Sequence, residues 1–260
     1  LGRLAAWYRA AVLTARVVAI TGSTGKTTTK DLVTAVLAGL GPTVGPPGSF
    51  NTEVGLPLTV LSADPDTAYL VLEMGMRGEG HIDYLARIAR PEVGVVLNIG
   101  SAHLGMLGSR EAIARAKGEL VRTLGPTDTA VLSADDALTR SLADTTVARV
   151  LTFGHAADAA VRAVDVDLDE QARAGFTLVD AGVGRSAPVR LRGCGAHFVD
   201  NALAAAAVGL ALGADVDLVA RRLSDAEPAS RWRMEVTKAP GGYTVINDAY
   251  NANPESMRAA

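Results

Sequence analysis

The sequence predicts an α/β protein with a mostly parallel β-sheet flanked by helices. Short apolar runs of strand length alternate along the chain with segments of helical periodicity, which is the pattern of a parallel sheet. The first run, residues 17–21, passes through a glycine-rich turn directly into a helical segment. In residues 163–191 apolar and polar residues alternate instead, so we expect an antiparallel excursion on one edge of the sheet.

The order of elements follows from these patterns. The predicted strands are residues 17–21, 68–72, 93–98, 129–132 and 150–152. The predicted helices are residues 26–38, 81–89, 110–124, 136–143 and 199–212. Towards the end, YTVINDAY predicts another strand, and Asn253 and Pro254 predict the N-cap and the first position of a helix. Pro228 breaks the helical pattern among charged residues, so we place a domain boundary between residues 229 and 230.

Composition and charge exclude several functions. Hydrophobic residues make up 48% of the 260 residues, which is enough for a sizeable core. The net charge is −3, so nothing indicates nucleic acid as a partner. Arg3, Arg9 and Arg16 interrupt the apolar first 20 residues, which argues against a membrane span or a signal peptide. The single cysteine, Cys194, excludes an internal disulfide and suits a cytoplasmic protein.

The glycine-rich turn predicts a phosphate-binding loop. In VVAITGSTGKTTTKDLV the usual pattern G-x-x-x-x-G-K-[ST] would need a glycine at position 20, where this chain has Ile20. Gly22 and Gly25 nevertheless allow close backbone approach, and the N-terminus of the following helix favours an anion. Lys26 can bind the β- and γ-phosphates, and the Thr27 hydroxyl can ligate Mg²⁺. The alternative is an ordinary strand-to-helix turn that contains Gly-Lys-Thr by chance.

Two side chains are predicted to face the same edge of the sheet as this loop. Glu73 ends the apolar strand YLVLE, and His103 follows the next strand after a short Gly-Ser-Ala turn. Ligands of parallel sheets bind at the carboxyl ends of the strands, and a carboxylate there suits Mg²⁺. The alternatives are a solvated acid at the end of a strand and a structural histidine.

Lys117 lies on the apolar face of its predicted helix. With Ile113 at zero and ~100° per residue, Lys117 falls at about 40°, inside the stripe of apolar residues. A lysine on a buried face is costly unless it is paired or chemically changed. The alternative is a side chain whose stem is buried and whose amine reaches water at the rim.

Several stretches resemble the Mur ligases and folylpolyglutamate synthetases, in the family's order. TGSTGKTTTK resembles their compact ATP loop, GSFNTEVGLPLTVL their asparagine loop, and YLVLEMGMRGEG their strand-end glutamate. VVLNIGSAHLGMLGS resembles their histidine loop, ARAKGEL their modified-lysine helix, and HFVDNALAAAAVGLALG their adenine-side helix. The closing INDAYNANPESM resembles most closely the members that add D-alanyl-D-alanine. The resemblance extends over almost the whole chain.

The resemblance implies three domains, of which this chain would hold one and a part. Residues 1–16 would be a linker helix from a preceding substrate-binding domain that the chain lacks. Residues 17–229 would be the central ATP-binding domain, a P-loop-type ATPase domain. Residues 230–260 would begin a Rossmann-like C-terminal domain. We therefore expect a fragment, and we expect the pocket for the third residue of the acceptor peptide to lie in the preceding domain.

The resemblance also implies roles for the nucleotide-binding residues. The ATP-binding loop would comprise Gly22, Ser23, Thr24, Gly25, Lys26, Thr27 and Thr28. Asn51 would reach the γ-phosphate or a metal-bound water, and Asn201 would contact adenine; the alternatives are a turn asparagine and a helix cap. Asp248 would bind the ribose hydroxyls. Arg233 would reach across to the phosphates, with Arg231 as the alternative if the local alignment slips by two residues.

The remaining implied roles concern the metal and the substrate. Thr27, Glu73 and His103 would hold two Mg²⁺ ions together with Lys117, whose amine would be carbamylated. Lys26, Lys117, His103 and Arg233 would be the catalytic residues. Tyr250, Asn251 and Asn253 would face the D-alanyl-D-alanine substrate.

The implied reaction is ATP-dependent formation of an amide. The enzyme would add D-alanyl-D-alanine to UDP-N-acetylmuramoyl-tripeptide through an acyl phosphate, in the synthesis of peptidoglycan precursors, and we expect a monomer. Two alternatives stay open. One is another amide ligase of the same fold, and the other is a nucleotide-binding module that does not ligate.

Overall fold

The computed structural model describes residues 1–102, 104–252 and 257–258. Its main sheet contains nine strands. These are β1 (Arg16–Thr21), β2 (Thr43–Val44), β3 (Tyr69–Glu73), β4 (Val93–Val96), β5 (Thr129–Ser133), β6 (Arg149–Gly154), β7 (Val161–Leu168), β8 (Arg173–Asp180) and β9 (Arg185–Cys194). A separate two-stranded sheet pairs β10 (Glu235–Lys238) with β11 (Thr244–Asn247).

Nine α-helices are assigned within the described residues. They are α1 (Gly2–Ala11), α2 (Lys26–Leu37), α3 (Gly55–Ser62), α4 (His81–Ala89), α5 (Leu104–Leu107), α6 (Arg110–Arg122), α7 (Ala137–Arg140), α8 (Phe198–Ala211) and α9 (Val216–Asp225). In the part of the chain that the structure covers, none of these helices has the length and apolarity that a membrane crossing requires.

The strand order brings three loops to one point. The order is β2-β3-β1-β4-β5-β6-β7-β8-β9, with parallel pairing from β2 to β7 and antiparallel pairing from β7 to β9. β1 therefore lies between β3 and β4, and the carboxyl ends of all three strands meet at one edge. This confirms the predicted parallel sheet with an antiparallel excursion, and it creates the crevice in which parallel sheets bind ligands.

Helices cover both faces of the sheet and enclose two apolar cores. One core packs α2, α8 and α9 against one face, and the other packs α1, α3, α4 and α6 against the opposite face. Side chains of β1 alternate between them: Val18 and Ile20 belong to the first core, Val17 and Ala19 to the second. Because β1 is buried on both faces, the glycine-rich turn at its end rests on a rigid base.

The alanine-rich sequence of α8 allows it to lie close to α2. Its buried residues include a run of four alanines that ends at Ala207. Two residues further on, a Cβ atom added to Gly209 would lie only 2.7 Å from Cγ1 of Val36 in α2. These small side chains bring the N-terminal turn of α8 next to the first turn of α2.

Some elements differ from the sequence prediction for identifiable reasons. Helix α3 was not predicted, because its sequence GLPLTVLS contains Gly55 and Pro57. Both lie in the first turn, where a proline needs no hydrogen-bond partner, and Thr52 Oγ1 accepts from the Gly55 amide at 3.3 Å. Helix α9 was also not predicted; Asp215 caps it by accepting from the Leu218 amide at 2.7 Å.

Other predicted elements are shorter than expected. The strand predicted at 93–98 ends at Val96, and the helix predicted at 136–143 ends at Arg140 and continues as a 3₁₀ turn, Ser141–Thr145. The helix start predicted at Asn253 and Pro254 lies outside the described residues. The domain boundary between residues 229 and 230 stays a prediction.

Candidate active site

The turn between β1 and α2 has the geometry of an anion-binding loop. Gly25 has φ of +79°, a conformation that glycine adopts without strain, and it directly precedes the first residue of α2. Gly22 packs against the next strand so closely that an added Cβ would lie 2.9 Å from Cβ of Leu97. The loop and the positive end of a twelve-residue helix therefore face the same space.

Asn98 fixes the shape of this loop, and the sequence analysis did not identify it. Its Oδ1 accepts from the backbone amides of both Ser23 and Thr24 at 3.0 Å. The Ser23 amide also donates to the Asn98 carbonyl at 3.1 Å, and Ser23 Oγ accepts from the Gly100 amide at 2.9 Å. The signal was available: Asn98 follows an apolar strand that neighbours β1. Its roles as side-chain and backbone acceptor only become evident once the strand order is known.

Lys26 lies at the start of α2 and folds over the loop. Its Nζ donates to the Gly22 carbonyl at 2.8 Å. Burial lowers the pKa of the Lys26 amine and the charge of Arg233 lowers it further, while the carboxylate of Glu73 acts in the opposite direction. The amine therefore lies near charged groups from two other parts of the chain.

Glu73 is the centre of a buried polar cluster. It is 1% exposed and ends β3. Its Oε2 accepts from Thr27 Oγ1 at 2.9 Å, and its Oε1 accepts from Asn51 Nδ2 at 2.7 Å. The two carboxylate oxygens are thus hydrogen-bonded to residues from two separate parts of the chain, the first turn of α2 and the loop that holds Asn51. This differs from the solvated strand-end acid that was the alternative for Glu73.

Arg233 joins the segment after residue 229 to this cluster. Its Nη2 donates to Thr27 Oγ1 at 3.0 Å, and its guanidinium lies 4.1 Å from the centre of the Tyr250 ring. Its neighbours Trp232 and Met234 both have positive φ, at 61° and 50°. The alternative residue, Arg231, lies 5.8 Å from the Trp232 ring centre instead. Of the two arginines, only Arg233 contacts the loop.

The residues after β11 line the same cavity as the loop and Arg233. Asp248 Oδ1 accepts from the Met234 amide at 3.1 Å, so the start of β10 and the end of β11 are tied together. The hydroxyl groups of Tyr250 and Ser49 are in hydrogen-bonding contact. Asn251 lines the space as well, whereas Asn253 lies outside the described residues, as does His103.

Two adjoining cavities connect these residues. The first, which we call the loop cavity, has a volume of about 360 Å³ and is lined by the loop together with Asn51, Glu73, Arg233, Asp248 and Tyr250. The second, the helix cavity, has a volume of about 120 Å³ and is lined by the loop, Asn98, Arg233, Asp248 and the first turn of α8. The loop cavity lies in the size range of small-molecule sites.

Asn201, in the first turn of α8, contacts the loop at Gly25 and the first turn of α2 at Thr29. It is 6% exposed; its Oδ1 accepts from Thr29 Oγ1 at 3.1 Å, and its Nδ2 donates to the His197 carbonyl at 3.1 Å. A Cβ at Gly25 would lie 2.3 Å from Asn201 Oδ1, which gives a second reason for glycine at that position. Asn201 lines the helix cavity, and its contact with adenine stays a prediction.

Lys117 is buried as the helical wheel predicts. It is 2% exposed, on the face of α6 that packs against the second core. Burial lowers the pKa of its amine well below the ordinary lysine value, and the nearby charge of Lys26 lowers it further. Among the residues that the structure describes, Lys117 makes no hydrogen bond or ion pair. This contradicts the alternative in which the amine reaches water at the rim.

A protein-family model described as the Mur ligase middle domain matches residues 20–209. The chain belongs to the Mur ligase family. The matched range contains the phosphate-binding loop, Asn51, Glu73, Asn98 and Lys117, and it ends within α8. Arg233 and Asp248 follow it.

The chain is similar over almost its whole length to Mur ligases with known names. It is 54% identical over 245 residues to the UDP-N-acetylmuramoyl-tripeptide–D-alanyl-D-alanine ligase of Mycobacterium bovis, covering 94% of this chain and 47% of the relative. The chain therefore spans about half the length of this curated relative.

Two solved structures are similar in fold. One is the UDP-N-acetylmuramoylalanyl-D-glutamyl-2,6-diaminopimelate–D-alanyl-D-alanyl ligase of Acinetobacter baumannii, with a TM-score of 0.90, 36% identity, and coverage of 99% of this chain and 56% of that one. The other is the MurF ligase of Thermotoga maritima in complex with ADP, with a TM-score of 0.84, 29% identity, and coverage of 99% and 58%.

The buried amine of Lys117 should make stability depend on pH. Between its lowered pKa and the ordinary value near 10.5 the unfolded chain binds a proton that the folded chain does not, so stability should rise with pH in that window. The slope from one such group is at most about 1.4 kcal/mol per pH unit. In carbon dioxide-depleted buffer, Lys117→Met should remove this rise from urea unfolding curves at pH 7 to 9. The exposed-site control Lys238→Met should keep it, and equal slopes in wild type and Lys117→Met would contradict the prediction.

Proposed function

We propose that the chain is the nucleotide-binding part of an ATP-dependent ligase that adds D-alanyl-D-alanine to UDP-N-acetylmuramoyl-tripeptide. The observation that carries the proposal is the convergence of the loop, the Glu73 cluster and Arg233 on one cavity of about 360 Å³. The names of the relatives support the substrates, since the M. bovis and A. baumannii proteins are both named as D-alanyl-D-alanine ligases. The ADP complex of the T. maritima relative supports the nucleotide.

In this proposal the loop and its cations stabilise phosphoryl transfer from ATP. The terminal carboxylate of the tripeptide attacks the γ-phosphate, and ADP leaves. Negative charge is spread over the transferring group, so positioned positive groups lower the barrier. Among the described residues, Lys26 and Arg233 are the two cations that line the loop cavity, and Arg233 also donates to the Thr27 hydroxyl.

The Glu73 cluster fits Mg²⁺. A hard cation takes oxygen ligands, and the Glu73 carboxylate and the Thr27 hydroxyl lie 2.9 Å apart beside the loop. Bound Mg²⁺ would neutralise charge on the phosphates. Asn51 orients Glu73 by donating to Oε1, and Thr27, Asn51 and Glu73 all line the loop cavity. His103 belongs to the same proposal as a ligand of a second ion.

Lys117 is proposed to carry a carbamate. The lone pair of a neutral amine forms a carbon–nitrogen bond with carbon dioxide, one carbon–oxygen π bond becomes the carboxylate, and a proton is released. The low pKa of Lys117 and its lack of a partner among the described residues favour the neutral amine. The product is an anion, which Mg²⁺ and Lys26 would attract.

The second half of the proposed reaction joins the two substrates. The free amine of D-alanyl-D-alanine attacks the acyl phosphate, an amide forms and phosphate leaves. Tyr250 and Asn251 line the loop cavity from the segment after β11, which supports their assignment to this substrate. Positioning accounts for most of the catalysis, since no side chain needs to form a bond with either substrate.

The full-length enzyme tests this function. ADP formation should require the tripeptide, and formation of the amide product should require both the tripeptide and D-alanyl-D-alanine. Lys26→Ala should lower the ligation rate by at least about a hundredfold, because a charge-stabilising contact in the transition state is lost. The surface control Lys238→Ala should retain the wild-type rate. Ligation by Lys26→Ala at a near-normal rate, or ADP formation independent of both substrates, would overturn the proposal.

Lys117 offers a separate test of the carbamate. Lys117→Ala should lose ligation, and a short carboxylic acid that diffuses into the space should partly restore it. Lys117→Arg should not be restored, because the guanidinium fills the space with a fixed positive charge. The measurement is the ligation rate of each variant across a series of formate and acetate concentrations. A Lys117→Ala rate near that of wild type would leave the lysine without a catalytic role.

A further inference from the structure

A third cavity lies next to the loop cavity. Its volume is about 340 Å³, and Glu53, Gly75, His81, Tyr84 and Leu85 line it. We call it the side cavity. None of its lining residues lines the loop cavity or the helix cavity.

The side cavity and the loop cavity share one wall. The Gly75 amide donates to the Asn51 carbonyl at 2.8 Å, and Gly75 lines the side cavity while Asn51 lines the loop cavity. A Cβ added to Gly75 would lie 3.0 Å from Cγ and Oδ1 of Asn51. Glu53 and Gly75 each lie two residues beyond a member of the Glu73 cluster. Asn51 and Gly75 therefore form part of the wall between the two cavities.

The position of the side cavity suits the acceptor substrate, the tripeptide whose terminal carboxylate attacks ATP in the proposed reaction. In phosphoryl transfer the attacking and leaving oxygens lie roughly in line through the phosphorus atom. The helix cavity, on the α8 side of the loop, is where the leaving nucleotide would extend. The side cavity adjoins the loop cavity at the Asn51 and Glu73 side instead. An acceptor whose carboxylate meets the γ-phosphate at Glu73 has the rest of its last residue beside this wall.

The lining of the side cavity includes the carboxylate of Glu53 and the imidazole ring of His81, whose tautomer is set by a backbone amide. The Arg77 amide donates to His81 Nδ1 at 3.1 Å, so in neutral His81 the ring hydrogen is on Nε2. Glu53 makes no ion pair within the described residues, and Tyr84 and Leu85 supply apolar surface. The amides of Gly80 and Asp83 at the start of α4 are already accepted by the carboxylate of Glu119.

These groups complement a side chain whose end carries both a positively and a negatively charged group. Resting on the function proposed above, we propose that the side cavity binds the side chain of the acceptor's third residue and selects one that ends in both an ammonium and a carboxylate group. Glu53 binds the ammonium group, and His81 Nε2–H donates to the carboxylate. The side chain of 2,6-diaminopimelate, which the name of the A. baumannii relative contains, ends in both groups, whereas that of lysine ends in the ammonium alone.

This location departs from the expectation that the pocket for the third residue lies in a preceding domain. The side cavity is formed by the loop before α3, the segment after β3 and helix α4, all within residues 20–209. A preceding domain would then bind the UDP end of the acceptor, while this domain binds the side chain of the third residue, whose carboxylate reacts.

The test compares two acceptors on the full-length enzyme. The acceptors are UDP-N-acetylmuramoyl-tripeptides that end in 2,6-diaminopimelate or in lysine, and the measurement is kcat/KM for each. Wild type should favour the diaminopimelate acceptor by about tenfold, the effect of one hydrogen bond to a charged group. His81→Asn keeps an acceptor near the Arg77 amide but has no counterpart of Nε2, so it should lose the preference. His81→Gln places an N–H near Nε2 and should retain most of it.

Glu53 is expected to act on both acceptors. Glu53→Gln should lower kcat/KM for each by about tenfold, mainly through the acceptor KM and with the KM for ATP unchanged. The surface control Glu170→Gln should change neither value.

Three results would overturn the assignment while leaving the proposed function intact. They are a wild-type enzyme that ligates both acceptors equally, a His81→Asn variant that keeps the preference, and a Glu53→Gln variant with wild-type values for both. Absence of ligation with either acceptor would instead contradict the proposed function.

Discussion

The buried carboxylate of Glu73 is the constraint on which the rest of the site depends. An ionised carboxylate that is 1% exposed is costly unless its oxygens are hydrogen-bonded. Thr27 supplies one bond from the first turn of α2, and Asn51 supplies the other from the loop before α3. Arg233 donates to the same Thr27 hydroxyl, so a fourth part of the chain reaches the cluster without contacting Glu73 directly. The positions of α2, the Asn51 loop and the segment after residue 229 are thus linked through the side chains of Glu73 and Thr27.

The sheet topology by itself is enough to place these groups at one edge of the sheet. Because β1 lies between β3 and β4, the loop after β1, Glu73 after β3 and Asn98 after β4 share one edge. Asn98 then holds the loop amides, and Asn201 supports Gly25 from α8. Each neighbour thereby fixes a different part of one short turn, which gives the preorganised geometry that the proposed phosphoryl transfer would need.

The sequence predicted the parts of the site that depend on local pattern. The loop follows from glycine, lysine and hydroxyl residues between a strand and a helix, and the burial of Lys117 follows from its angle on the helical wheel. Asn98 could not be predicted in this way, because its role depends on which strand neighbours β1. Asn201 was predicted to contact adenine, and its contacts with Thr29 and Gly25 depend on how closely α8 approaches α2.

The fold shows the same division between local and long-range information. The alternation of strands and helices was sufficient to predict the parallel sheet and its antiparallel edge. Helix α3 was missed because Gly55 and Pro57 are poor helix residues except in the first turn, where they lie. The side cavity was missed for a different reason, since Glu53 in the loop before α3 and His81 at the start of α4 are 28 residues apart and meet only in the folded chain.

The central claim is that Glu73 is the carboxylate that holds the metal in this cluster, and the metal dependence of Glu73→Gln tests it most directly. Glutamine has nearly the same shape and can still accept a hydrogen bond, so the fold should be retained while the charge is removed. In the full-length enzyme, the Mg²⁺ concentration for half-maximal ligation should rise by about tenfold or more. The surface control Glu170→Gln should match wild type. An unchanged Mg²⁺ dependence in folded Glu73→Gln would contradict the account.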